Sequence, residues 1–272
     1  MGKFIRTYLP FTSNSLKQNM AYKGAFYLNM FCSIFAAFIN YYLWMAIYGS
    51  AESGVLAGLS KNEMVIYVFM SYIVSSVAMV SMSRAVGKDI QKGDIAMTLI
   101  KPMDYRMSLI AQSLGTMIYR FILPGLFVWI GLEIYRVAGL GLPMVRISNI
   151  LLFLLSTFLS FMIYVLFEFC FGMIAFFTTY IFGLEMAKTA VLSFLTGQLI
   201  PLAFFPEAVQ RLFDFLPFSS MLYAPVMIYL GKYTRSTLMF VLARQAVWVV
   251  LLYLLGSLIW RQVVKRLIVL GG

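Results

Sequence analysis

Long apolar runs separated by short polar segments dominate the sequence. A membrane-spanning helix needs about 20 apolar residues to cross about 30 Å of hydrocarbon. By that measure the pattern predicts six spans, at about 24–48, 63–83, 107–135, 147–180, 189–205 and 237–260. We therefore expect an all-α, polytopic membrane protein in which residues 1–272 form a single transmembrane domain.

The fourth apolar run, 147–180, is longer than one straight span requires, because an α-helix rises about 1.5 Å per residue. We expect this helix either to extend beyond the bilayer or to break around Glu168 and Gly172. The third run, 107–135, is also long, and we expect its first residues to lie in the membrane interface.

Residues 1–23 alternate basic and apolar side chains before the first long apolar run begins. This pattern predicts short amphipathic helical pieces that lie in the membrane interface and are interrupted near Pro10. A frayed, irregular tail is the alternative interpretation of the same residues.

The longest polar stretch is GKDIQKGDIAMTLIKPMDYR, at 87–106. Gly93 suits the left-handed position after a helix, Asp94 suits the N-cap of a second helix, and Pro102 ends that helix. We predict two short helices with a sharp bend at Gly93. The second helix carries an apolar strip made of Ile95, Ala96, Leu99 and Ile100. That strip is expected to be buried either in the lipid interface or in a groove of a partner protein.

The segment 205–217 has the pattern of a short amphipathic helix between the fifth and sixth spans. Pro206 suits the first helical position, Leu212 and Phe213 lie on its apolar face, and Pro217 ends it. On the outer side of the membrane, such a helix would lie in the interface or re-enter the bilayer. It is either an ordinary surface helix or a lid over an exit.

Composition and charge support the membrane assignment. The chain is 62% hydrophobic and 11% charged, whereas soluble proteins have about 25% charged residues. The net charge is +11, and the predicted cytoplasmic segments hold roughly twice as many Lys and Arg side chains as the outer ones when both termini are inside. We expect the basic residues to face anionic lipid of the bilayer and expect no nucleic-acid partner.

Several kinds of chemistry have no support in the sequence. Histidine is absent, and both cysteines, Cys32 and Cys170, lie within apolar runs. No P-loop of the pattern G-x-x-x-x-G-K-[ST] is present, so the chain does not bind nucleotide in that way. We therefore expect no catalytic residues, no metal site and no cofactor in this chain.

Arg120 and Glu168 are charged residues that fall inside predicted spans. Charges in the bilayer are costly, and they usually pair or line a pathway. We predict that Arg120 and Glu168 form an ion pair that locks two helices together. The alternatives are a direct role toward substrate or protons, and two side chains that never meet.

Two motifs make the chain resemble the permease subunits of ATP-binding-cassette transporters of the type-two exporter class. The first motif is IQKGDIAMTLIKPM, residues 90–103. The second contains Ile200-Pro201-Leu202, Phe205-Pro206, Leu216-Pro217-Phe218, Pro225 and Gly231. The order of spans and the loop lengths are similar over essentially the whole chain. One departure is Phe176-Phe177-Thr178, where the family often has a Trp.

The resemblance implies a permease with an N-terminal elbow helix and cytoplasmic coupling helices. The implied coupling residues are Ile90, Gly93, Asp94, Ile95, Ala96, Leu99, Ile100 and Pro102. A second, smaller cytoplasmic contact would involve Gly183, Glu185 and Lys188. The implied partners are a second permease, identical or homologous, and a pair of ATPase subunits that bind ATP and Mg²⁺. The implied location is the plasma membrane of a bacterium, and the implied direction of transport is export.

The resemblance also suggests that the first, second and fifth spans line the pathway. The polar side chains available there are Asn40, Tyr41, Tyr42, Ser71, Ser75, Thr196 and Gln198, and each of them is equally consistent with helix packing. The alternative functions are an integral-membrane enzyme acting on lipid or peptide, and an assembly subunit that transports nothing. The sequence does not identify the cargo.

Overall fold

A computed structural model describes residues 2–21, 23–51, 54–178 and 181–270. The described chain is almost entirely helical. The helices, in chain order, are α1 Gly2–Ala21, α2 Lys23–Ser50, α3 Lys61–Ala78, α4 Ser83–Lys92, α5 Asp94–Leu99, α6 Tyr105–Arg120, α7 Leu126–Ile134, α8 Ile147–Gly172, α9 Phe182–Leu195, α10 Glu207–Phe215, α11 Phe218–Met221, α12 Tyr223–Tyr229 and α13 Arg235–Leu270. Two short strands, β1 Val55–Leu56 and β2 Leu59–Ser60, pair antiparallel between α2 and α3.

Within the described residues, five helices are long and apolar enough to cross a membrane. They cover Met30–Ser50, Lys61–Lys92, Tyr105–Gly139, Ile147–Phe176 and Arg235–Lys265. These helices match the predicted first, second, third, fourth and sixth spans.

The predicted fifth span, 189–205, is wrong as a continuous helix. The helix in this region, α9, has 14 residues, begins at Phe182 and ends at Leu195. At about 1.5 Å per residue it is roughly 21 Å long, which is shorter than the hydrocarbon core. Gly197 follows with a φ of 82°, a left-handed conformation that stops the helix. Hydropathy did not detect this stop because the surrounding residues are apolar.

The fourth span ends where the sequence suggested. Helix α8 runs from Ile147 to Gly172 and continues as a short 3₁₀ turn, Met173–Phe176.

The third span is one long helical path in which α6 and α7 are joined by a π-helical segment, Phe121–Gly125, that contains Pro124. A wider helical turn at this place is a common response to the missing N–H of a proline.

The N-terminal helix α1 is continuous through Pro10, so the predicted interruption there is wrong. It packs along α6 rather than only on the membrane surface. The Thr12 hydroxyl donates to the Ala111 carbonyl at 2.9 Å, and the Ser15 and Thr116 hydroxyls lie 3.1 Å apart. A Cβ atom added to Gly115 would lie 2.3 Å from the Thr12 carbonyl oxygen, so the two backbones are in direct contact.

Helix α3 lies at the centre of the packed core. Most of its side chains are buried, and it contacts α2, α8 and α12. Tyr67 of α3, Phe161 and Phe169 of α8, and Tyr229 of α12 are among the largest fully buried side chains. Helices α2 and α13 instead expose large apolar residues such as Phe31 and Phe240, which are 67% exposed. Such outer faces suit a lipid environment or a second membrane subunit.

The first turn of α3 is fixed by a capping box. The Ser60 side chain accepts from the backbone N–H of Glu63, and the Glu63 carboxylate accepts from the backbone N–H of Ser60. Lys232, which precedes α13, pairs with Glu63 at 2.7 Å and donates to the Gly58 carbonyl at 3.0 Å. These contacts join the β1–β2 turn to the loop between α12 and α13.

Candidate functional site

Helices α4 and α5 form the predicted sharp bend. Gly93 lies between them with a φ of 75°, and its N–H donates to the Ile90 carbonyl at 3.1 Å. The two helices and the bend between them are confirmed. The capping detail is wrong, since Asp94 is the first residue of α5 and its side chain makes no capping hydrogen bond.

The predicted apolar strip of α5 is divided between the core and the surface. Ile95 is 1% exposed and packs into the core, which anchors α5 to the rest of the chain. Three apolar side chains point away from the described protein: Met97 is 66% exposed, Leu99 39% and Ile100 78%. A helix of six residues with this many exposed apolar side chains needs lipid or another protein to cover them.

A buried polar group lies where α4, α8 and α9 meet. We call it the Ser83 cluster, and its members are Ser83, Glu168, Glu185 and Lys188. Lys188 Nζ lies 2.5 Å from Glu168 Oε1 and 3.2 Å from Glu185 Oε1, and it donates to Ser83 Oγ at 2.8 Å. The Ser83 hydroxyl is in hydrogen-bond contact with both carboxylates. The four residues are between 0% and 7% exposed.

The cluster also holds the start of α4. The backbone N–H of Ser83, the first residue of that helix, donates to Glu168 Oε2 at 3.2 Å. A carboxylate at a helix N-terminus satisfies a free N–H and is favoured by the helix dipole. Glu168 of α8 therefore fixes α4, which continues directly into the bend at Gly93.

Neighbouring side chains complete the cluster. Arg84, which is largely exposed, lies 3.9 Å from Glu185. Lys188 Nζ lies 4.6 Å from the centre of the Phe171 ring. Two carboxylates are thus surrounded by one buried and one surface cation, which keeps the local charge near balance.

The predicted ion pair between Arg120 and Glu168 is wrong. Glu168 pairs with Lys188 instead, as described above. Arg120 Nη1 donates to the carbonyls of Ser76 and Met79, at 3.1 and 3.3 Å, where α3 ends. Those carbonyls have lost their helical partners, and this makes them good acceptors for a cation.

The predicted second surface contact is also wrong for two of its three residues. Glu185 and Lys188 point into the Ser83 cluster, so neither is available to a partner, whereas Gly183 is exposed. The reason is that α9 begins at Phe182, which places both charged residues on the inner face of a helix rather than in a turn.

The seven candidate pathway residues do not share one surface. Tyr41 and Tyr42 line a cavity of about 1220 Å³ between α1, α2, α3 and the α6–α7 helix. Ser71 and Thr196 are 0% exposed, and each hydroxyl donates to a carbonyl of its own helix. Asn40 is also buried. The remaining two candidates, Ser75 and Gln198, are hydrogen-bonded to each other, because Gln198 Nε2 donates to Ser75 Oγ at 3.2 Å.

The segment between the fifth and sixth predicted spans contains the expected short helix, α10. Pro206 precedes it rather than starting it, and Pro217 follows it. Phe213 is 9% exposed but Leu212 is 54% exposed, so the predicted apolar face is only partly covered. Asp214 of α10 pairs with Arg244 of α13 at 2.8 Å, which fixes α10 to the last long helix.

The family model described as ABC-2 family transporter protein matches residues 34–271. The chain belongs to the ABC-2 transporter family. No curated protein matches the chain. The chain is thus a multi-pass membrane component of the ABC-2 type, and permeases of this family generally work with ATPase subunits.

In this ABC-2 protein, sequence reasoning missed Ser83 and misplaced its partners. One available signal was the spacing of Glu185 and Lys188, which are three residues apart and therefore neighbours on one helix face. A second was Glu168 itself, because an acid within an apolar run requires a cation or several donors nearby. Combining the two would have suggested Lys188 as the partner of Glu168.

Proposed function

We propose that this chain is the permease subunit of an ABC exporter, with both termini in the cytoplasm of a bacterial cell and the helices in its plasma membrane. A second permease, identical or homologous, completes the pathway. A pair of separate ATPase subunits binds ATP and Mg²⁺ and drives the change between inward and outward access. Family membership and the excess of basic residues in the inner segments support this proposal.

The observation that carries the proposal is the exposed apolar end of the α4–α5 bend. Ile95 anchors α5 in the core, while Met97, Leu99 and Ile100 remain uncovered by the described chain. Lys92 and Lys101 are exposed on either side of them. A small apolar centre with a charged rim is the usual anatomy of a protein interface. We assign this surface to the ATPase subunit.

The Ser83 cluster gives a rigid connection from that surface to the membrane helices. A displacement of α5 is transmitted to α4 through the bend at Gly93. The first residue of α4, Ser83, is hydrogen-bonded to Glu168 of α8 and to Lys188 of α9. Because the cluster is buried and its hydrogen bonds are mutual, α4, α8 and α9 are expected to move as one body. ATP-driven motion of the partner would thus move two membrane helices together.

The test uses association with the partner. Leu99→Arg and Ile100→Arg each place a charge in the proposed apolar centre, and each is expected to weaken co-purification with the proposed ATPase subunit by about tenfold or more. Both side chains are exposed, so the thermal unfolding midpoint of the chain alone should not change. The readouts are the amount of ATPase subunit retained in mild detergent and the ATP-dependent transport by reconstituted complex.

Met144→Arg is the matched control. Met144 is 74% exposed, close to the value for Ile100, but lies in the loop between α7 and α8 at the opposite end of the helices. It should leave association unchanged. If both α5 variants retain the ATPase subunit as the unmodified chain does, the docking surface lies elsewhere.

A further inference from the structure

The cavity between α1, α2, α3 and the α6–α7 helix has a volume of about 1220 Å³. That is larger than the 300–1,000 Å³ typical of sites for drug-sized ligands. The lining changes in character along the α6–α7 helix. Gln112 and Thr116 come first, Arg120 follows, and Val128 and Leu132 lie beyond it. The stretch of this helix before Arg120 thus contributes mainly polar side chains to the lining and the stretch after it mainly apolar ones, apart from Leu109 and Tyr135.

Arg120 has unused hydrogen-bonding capacity inside this cavity. One of its nitrogens, Nη1, donates to two carbonyls. The guanidinium has five N–H groups, and among the described residues no hydrogen bond joins the three on Nε and Nη2 to an acceptor. No carboxylate of the described chain lies within 4.0 Å of Arg120. A membrane-embedded arginine normally has an anionic partner, because a lone charge there is costly.

The rest of the lining does not supply that anion. The described residues around the cavity include no Asp or Glu, and the second cation, Arg84, already lies near Glu185. Phe38 and Phe69 also line the cavity, with a ring-centre distance of 5.5 Å, and their rings would contact a hydrocarbon chain well. The chemistry of the cavity thus matches a molecule with an acidic group and an apolar chain.

We propose that this cavity binds an anionic amphiphile. Its phosphate or carboxylate accepts from the free N–H groups of Arg120, and its hydrocarbon chain extends along Phe38, Phe69, Val128 and Leu132. The planar guanidinium suits two oxygens of such a group at once. The inference does not depend on the proposed transport function, because the cavity is lined by helices of this chain alone.

The binding test uses the full chain in mild detergent with equimolar phosphatidylglycerol and phosphatidylcholine, and counts retained lipids by native mass spectrometry. The unmodified chain should retain phosphatidylglycerol over phosphatidylcholine by about tenfold, the effect of one charge-assisted contact. Arg120→Met should abolish the preference, and Arg120→Lys should keep part of it. Arg235→Gln removes an exposed arginine away from the cavity and should keep the full preference.

A second variant separates binding from helix packing. Gly131 lines the cavity, and a Cβ atom added there meets nothing within 4 Å. Gly131→Leu should therefore fill cavity volume and reduce phosphatidylglycerol retention by about fivefold, while the unfolding midpoint stays the same or rises. Equal retention of the two lipids by the unmodified chain would overturn the proposal. So would an Arg120→Met chain that keeps its preference for phosphatidylglycerol.

A bilayer phospholipid and a single-chain anionic molecule both have the acidic group and the apolar chain that the cavity is proposed to bind. Dodecyl phosphate is the probe that distinguishes them. Displacement of phosphatidylglycerol by dodecyl phosphate supports a single-chain ligand, and resistance to displacement supports a phospholipid of the bilayer. If the chain retains neither phosphatidylglycerol nor dodecyl phosphate more strongly than phosphatidylcholine, the proposal is overturned.

Discussion

Replacing Lys188 with Met is expected to lower the free energy of unfolding by about 3–5 kcal/mol, because it leaves buried carboxylates without their cation. Glu168 and Glu185 are 0% and 2% exposed, and water does not reach them to compensate. Lys188 also donates to the Ser83 hydroxyl, so the start of α4 is expected to loosen in the same variant. Equilibrium unfolding in mixed micelles measures the first effect, and hydrogen exchange of α4 measures the second.

The control is Lys232→Met. Lys232 pairs with Glu63 at 2.7 Å, but both side chains are about a quarter exposed, so the expected loss is only about 1 kcal/mol. Adding Glu168→Gln to Lys188→Met removes one of the unpaired charges and should restore part of the stability. Equal losses for Lys188→Met and Lys232→Met would show that the Ser83 cluster does not act as a buried ionic network.

Replacing Gly115 with Val is expected to separate α1 from α6. Even the first carbon of the side chain would lie 2.3 Å from the Thr12 carbonyl oxygen, and a backbone atom does not rotate away as a side chain does. Overpacking of this kind costs about 3 kcal/mol, and the helices are expected to part rather than compress. Trypsin cleavage at Lys17 should then become faster, since α1 would fray once it loses α6.

Gly131→Val provides the comparison for Gly115→Val. It makes the same chemical change in the same long helical path, but at a position where the added carbon meets nothing within 4 Å. Its cleavage rate and unfolding free energy should match those of the unmodified chain. Slow cleavage at Lys17 in Gly115→Val would mean that α1 and α6 adapt to the larger residue.

Five of the six predicted membrane helices and the bend at Gly93 could be predicted from the sequence because they depend on local patterns. Length and hydropathy identify a continuous helix that crosses a bilayer, but they did not detect the end of α9 at Leu195. Glycine is one of the few residue types that adopt a positive φ without strain, so the position of Gly93 in a polar stretch indicates a turn directly. Neither inference requires knowing which helices pack together.

The polar contacts between distant segments could not be predicted in that way. Arg120 and Glu168 are both charges in apolar runs, and assigning Lys188 to a turn rather than to a helix face removes it as a candidate partner of Glu168. Lys188 is the partner of Glu168 because α9 begins at Phe182, which places Lys188 on the inner face of a helix. The close contact at Gly115 is similar, because a glycine within a helix indicates a neighbouring backbone but does not identify it.

The contact between α1 and α6 also has a consequence for synthesis of the chain. Thr12 and its partner Ala111 are separated by 99 residues, so α1 leaves the ribosome long before its binding surface exists. At about 5–20 residues per second, that interval is roughly 5–20 s. During that time the amphipathic character of α1 can keep it at the lipid surface, as its sequence pattern suggests. The interfacial position of α1 would then be an intermediate stage of biogenesis, and packing of α1 against α6 would be the final stage.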